Sequence, residues 1–171
     1  MNPPIQQIYN LSDISSAGAE VTVTAKPDEL ATLAQWAGVD AVKRFTARID
    51  LSKQTQTRFT YEAELTVDVV QACVVTLKPV PSTIKRRFSR SLHVAHQMPR
   101  GETIIVTPAD DDSPEEIEST RFDLAGPLLE EFSLAIDPYP RAPGVAFDAP
   151  SEAKAPEDSP FAVLKQLKQG S

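Results

Sequence analysis

The stretch from Phe59 to Val69, FTYEAELTVDV, alternates without a fault. Phe59, Tyr61, Ala63, Leu65, Val67 and Val69 are apolar, and Thr60, Glu62, Glu64, Thr66 and Asp68 between them are polar. A period of two sorts these sets onto opposite faces of a strand, whereas a helix would mix them. The chain must therefore build a sheet with one covered face and one wet face. AEVTVTA (19–25) repeats the pattern, with Ala19, Val21, Val23 and Ala25 on one side. KRFTARIDL does so again, with Phe45, Ala47, Ile49 and Leu51 facing inward. From Val69 to Leu77 both sets are apolar, which predicts a strand running on into a part of the sheet covered on both faces. Pro79 and Pro81 cannot donate to a ladder, so LKPVPS predicts a break.

Helical periods lie between and after these strands. PDELATLAQWAGV (27–39) places Pro27, Asp28 and Glu29 in its first turn and Gly38 at its end, as a helix dipole and a C-cap favour. Leu30, Leu33, Ala34 and Ala37 form its apolar stripe, with Trp36 on a flank. FDLAGPLLEEFSLAIDP (122–138) predicts a second helix, with Asp123 as cap, Leu124, Leu128, Phe132 and Ile136 as the buried stripe, and Pro138 as the stop. SPFAVLKQLKQ (159–169) predicts a third, capped by Ser159, with Phe161, Leu164 and Leu167 on one side. The reading is a single α+β domain: a twisted antiparallel sheet, partly closed or open, with a few packed helices and a tethered C-terminal helix. Its divisions are a domain over 1–137, with a mobile acidic loop over 107–119, a proline-rich linker over 138–158 and a terminal helix over 159–171. No apolar run approaches the roughly 20 residues that a membrane-spanning helix needs. MNPPIQQIYN has neither the basic nor the apolar region of an export signal, which points to the cytoplasm.

Charge is segregated along the chain. Formal net charge is −7, yet residues 69–101 contain six basic and no acidic side chains. TIKRRFSRSLHVAH (83–96) concentrates Lys85, Arg86, Arg87, Arg90, His93 and His96. In extended geometry Ile84, Phe88, Leu92 and Val94 share one face, and Lys85, Arg87, Ser89, Ser91 and His93 share the other. Arg86 and Arg90 interrupt the apolar side, near an edge. ETIIVTP (102–108) predicts a further strand, and the run from Asp110 to Glu118 is acidic. A cationic face attracts phosphates despite the overall sign, because exposed charges are screened over about 8 Å at physiological salt.

Two stretches carry a resemblance. QACVVTLKPV (71–80), followed by the strand starting at Ile84, resembles the middle of the YceD-like family of large ribosomal RNA subunit accumulation proteins. FDLAGPLLEEFSLAIDPYPRAPGVAF (122–147) with PFAVLKQLK (160–168) is similar to that family's C-terminal half in its alphaproteobacterial style. The resemblance implies a non-enzymatic factor supporting accumulation, processing or assembly of the large-subunit (23S) ribosomal RNA. It also carries a departure. Many members have a central Cys-x-x-Cys pair and further cysteines near the C-terminus, which suggests a metal. Here Cys73 stands at the first position, Thr76 at the second, and YPRAPGVAF fills the later region. No metal or other cofactor is carried over.

Two readings of the sites follow. In the first, Lys85, Arg86, Arg87, Arg90 and His93 contact backbone phosphates of large-subunit rRNA or of a pre-ribosomal particle. The bland counterpart is a solvated strand whose cations blunt a sheet edge. In the second, the chain is an acidic module or chaperone for a basic ribosomal protein, using the 110–118 run and the proline-held segment with Tyr139 and Arg141. Cys73 as a nucleophile would need a base beside it, and spacing places neither His93 nor His96 there. No phosphate-loop, dinucleotide or zinc-protease motif is present. Catalysis is not expected.

Overall fold

The architecture comes from a computed structural model, which describes residues 3–95 and 114–146. In chain order it contains β1 (Ile8–Asn10), a single 3₁₀ turn (Leu11–Asp13), β2 (Ala19–Thr24), α1 (Pro27–Ala37) and β3 (Ala41–Lys53). There follow β4 (Arg58–Ala72), β5 (Pro79–Val94), β6 (Glu115–Ile117), β7 (Arg121–Asp123) and α2 (Ala125–Ala135). Five strands form one open sheet in the order β2-β3-β4-β5-β6, and β1 pairs with β7 in a separate two-stranded ribbon. The fold is α+β, as the alternation requires.

The sheet departs from the expected antiparallel one in a single place. β2 through β5 are antiparallel, but β6 runs parallel to β5, with Leu92, His93 and Val94 opposite Glu115, Glu116 and Ile117. The sheet is therefore mixed, and among the described residues it is not closed. The expected acidic loop over 107–119 is corrected at its far end, where Glu115–Ile117 is strand. Its earlier part, the segment ETIIVTP and the helix over 159–169 lie outside the described residues.

The hairpin β4–β5 supplies the longest ladder. Arg58 pairs with His93 and Ala72 with Pro79, with no register slip between. β4 ends at Ala72 rather than running on to Leu77. Cys73 to Leu77 instead form a tight turn closed by the Leu77 N–H donating to the Cys73 carbonyl (2.9 Å), with Leu77 at φ 58°. A leucine in left-handed geometry is strained, and here its side chain is 78% exposed, so the apolar run is a turn rather than a doubly covered strand. Pro79 and Pro81 do not break β5 either. Val94, an even position, donates its N–H toward β4's side at Thr57 (2.8 Å), and the regular register carries that parity back to the prolines. Odd positions aim their nitrogens away from β4, where a missing N–H costs no ladder bond.

Both helices pack on one face of the sheet. Phe45, Phe59, Phe132, Leu33, Ile49, Leu65, Leu92 and Leu128 are fully buried there. The Phe132 ring meets Phe45 edge-on at 5.9 Å between centroids. Burying a side chain of this size stabilises the fold by about 1.5–3 kcal/mol. α1 begins at Pro27 and is closed by Gly38 in left-handed geometry (φ 66°), as its sequence predicts. At α2, Asp123 Oδ1 accepts from the Ala125 N–H (3.0 Å) and the Gln7 N–H (2.8 Å), so one carboxylate caps the helix and pins the N-terminal segment.

Candidate functional site

β5 places the basic strip along an edge. β6 covers only Leu92–Val94, so among the described residues nothing pairs with the outer side of Pro79–Ser91. By the parity above, the N–H groups of Thr83, Lys85, Arg87 and Ser89 point into that open side. The side chains divide as the alternation predicts. Lys85 and Arg87 stand on the wet face opposite Thr66 and Glu64, while Arg86, opposite Leu65, stands on the helix-bearing face and is exposed.

The structure separates the five strip residues into different environments. Arg90 is the most enclosed, with its side chain 27% exposed. Its guanidinium meets Glu130 at 2.8 Å, Glu131 at 3.7 Å and Glu115 at 3.9 Å, and it lies 5.6 Å from the Phe88 ring centroid. Burial opposes its charge, but the hydrogen bond to Glu130 and the surrounding carboxylates hold it above its ordinary pKa. Arg90 is thus a clamp joining β5 to α2 and β6. Beneath it, Tyr61 buries a hydroxyl with no hydrogen-bond partner among the described residues, and burial pushes its pKa up.

Arg87 pairs with Glu62 at 3.1 Å and Glu64 at 3.7 Å across the wet face. These side chains are more than half exposed, so each pair contributes about 0.2–1 kcal/mol and exchanges readily for another anion. Lys85 and Arg86 make no ion pair among the described residues. Lys85 still helps hold Asp68 below the ordinary carboxylate range, after the stronger contributions of the Thr83 hydroxyl and Arg44. His93 is half-buried opposite Arg58 on one side and Glu116 on the other. Phe88, offered by the sequence as part of the apolar face of the strip, is partly buried and packs against the core, edge-on to Tyr61 at 6.2 Å.

The wet face beside the strip is not uniformly basic. Glu20, Asp50, Glu62, Glu64 and Asp68 alternate with Arg44 and Arg48, and Arg48 bridges Glu20 at 2.8 Å and Asp50 at 3.4 Å. Within the strip, the exposed cations narrow to Lys85 and Arg86, which make no ion pair among the described residues, and Arg87, whose pairs with Glu62 and Glu64 are themselves exposed. Sequence spacing could not show that Arg90 is committed, because its partners Glu130 and Glu131 are about forty residues on.

The second group of candidates lies where the chain leaves α2. The Gln71 side-chain amide donates to the Asp137 carbonyl (2.8 Å), and the Val74 N–H donates to the Pro140 carbonyl (2.9 Å). The start of the expected linker is therefore laid across the β4–β5 turn. Pro140 is buried, and Tyr139 (72% exposed) and Arg141 flank it on the surface. The Ala142 N–H donates to Cys73 Sγ at 3.4 Å. Hydrogen bonds from the Thr76 hydroxyl, foremost, and from the N–H groups of Ala142, Thr76 and Val75 lower the Cys73 thiol to about 6, against the opposing effect of burial. This donor set does not suit a metal. A buried sulfur faces a hydroxyl and amide protons, and among the described residues no three of His, Cys, Asp and Glu converge.

A family model described as the large ribosomal RNA subunit accumulation protein YceD matches residues 61–168, which takes in most of β4, all of β5 and α2, and the segment laid over the turn. No curated protein and no solved structure matches the chain. Since the match spans more than half of the sequence and contains the whole basic edge, this chain belongs to the YceD family of large ribosomal RNA subunit accumulation proteins.

Proposed function

We propose that the chain is a non-enzymatic, cytoplasmic factor that supports large-subunit rRNA accumulation by contacting rRNA in a precursor particle through Lys85, Arg86 and Arg87. The observation that carries this reading is the consecutive placement of three exposed cations on an edge whose backbone N–H groups also point outward. Phosphate oxygens accept from guanidinium, ammonium and backbone N–H alike, so such an edge offers several donors to one sugar–phosphate path. Affinity from contacts of this kind is sequence-independent and salt-sensitive.

The test is triple charge reversal, Lys85→Glu, Arg86→Glu and Arg87→Glu, with binding to single-stranded large-subunit rRNA fragments followed against salt. Loss of three phosphate contacts should flatten the log–log salt slope by about two units and weaken all sequences alike. An unchanged slope would refute the assignment. The acidic-module reading draws on Tyr139 and Arg141, exposed on a segment held by Pro140. It requires instead that neutralising Asp110, Asp111 and Asp112 abolishes capture of a basic ribosomal protein while RNA binding stays intact.

A further inference from the structure

α2 leaves an apolar groove open on the side away from the sheet. Pro3, Pro4, Trp36, Leu129, Leu134 and Gly126 line a hollow of about 600 Å³, with Glu130 and Ser133 on its rim. Trp36 is 39% and Leu134 is 78% exposed, although both are large apolar side chains. At Gly126 an added Cβ would meet nothing within 4 Å, so the floor is open there rather than filled. A hollow of this size and lining accommodates the apolar face of a short helix.

We propose that residues 160–168 of this same chain occupy the groove. PFAVLKQLK presents Phe161, Leu164 and Leu167 at helical spacing, three anchors for one apolar trough. Lys165 flanks those anchors, and Lys168, one turn beyond Leu164, closes the same face at the end of the segment. The tether also fits. From the last described residue, Ala146, to Ser159 the chain advances 13 residues, a reach of about 20 Å as a flexible coil and about 40 Å if the prolines hold it extended. For a domain whose radius of gyration is about 14 Å, that reach lets the segment sample the groove at high effective concentration. A helix–groove contact that is weak between separate molecules is then well populated within one. Spacing and reach point to the same occupant.

Trp36 is the only tryptophan in the chain, so its fluorescence reports the groove directly. Three chains are compared: the full chain, a chain ending at residue 158, and the full chain carrying Leu164→Asp. The proposal expects a red-shifted emission and stronger acrylamide quenching in both altered chains, with circular dichroism otherwise preserved. Adding the peptide 159–171 to the shortened chain should reverse the shift saturably, and Leu134→Glu in the groove should prevent that reversal. Identical emission and quenching in all three chains would overturn the proposal. So would a blue shift in the full chain that fades on dilution together with a concentration-dependent mass, because the occupant would then be a second copy.

Discussion

Arg90 and Lys85 sit five residues apart on one strand and have different tasks. Arg90 holds three carboxylates and lies over the Phe88 ring, so it fastens α2 and β6 to the sheet. Arg90→Gln should lower unfolding stability by about 1 kcal/mol, the sum expected of a partly screened ion-pair cluster and a cation–π contact. Lys85→Gln should stay within about 0.5 kcal/mol of the native chain, as exposed substitutions do. RNA affinity should respond in the opposite order. Urea titration and a salt-controlled binding assay on the two variants check both halves, and equal stability losses would contradict the division. The alternation of β5 makes the facing of all these side chains legible in the sequence, including the intrusion of Arg86 and Arg90 on the apolar side. The carboxylates that claim Arg90 are not legible there, because Glu130 and Glu131 reach it through tertiary packing.

At the scale of elements, the turn after β4 and the segment after α2 behave as one unit. Gln71 and Val74 hold residues 137–140, and that brings the Ala142 N–H to Cys73. The thiol is lowered to about 6, against about 8.5 in an unfolded chain. A depressed acid binds fewer protons in the folded state, so its contribution to stability is fully present above the unfolded pKa and is lost as pH falls through about 6. The stability gap between the native chain and Cys73→Ala should therefore widen from about pH 6 to about pH 9, and urea midpoints across that range measure it. A gap that is flat or narrows with rising pH would contradict the hydrogen-bonded thiolate. The sequence reads as continuous strand over Val69–Leu77 because periodicity cannot tell a short apolar turn from a covered strand. Nor does it reveal β1, β6 and β7, whose three residues each are too few to show a period. The long strands β3 and β4 and the caps of α1 need no tertiary information, since alternation and the Pro27–Gly38 bracket are local.

Over the whole molecule, an acidic chain carries an exposed cationic edge, and its family ties it to large ribosomal RNA subunit accumulation. Carboxylates share the wet face with that edge, and the Arg87 pairs with Glu62 and Glu64 are exposed, so exchanging either for another anion costs little. If the proposed contact holds, binding runs through backbone charge, and specificity must come from the shape of the particle rather than from base reading. The most direct measurement is crosslinking within large-subunit precursor particles that co-sediment with the chain, with the attached residues mapped. If the edge is the contact, rRNA crosslinks concentrate on residues 83–89 of β5. Crosslinks to ribosomal protein through residues 110–118 or 137–144, with β5 untouched, would contradict it.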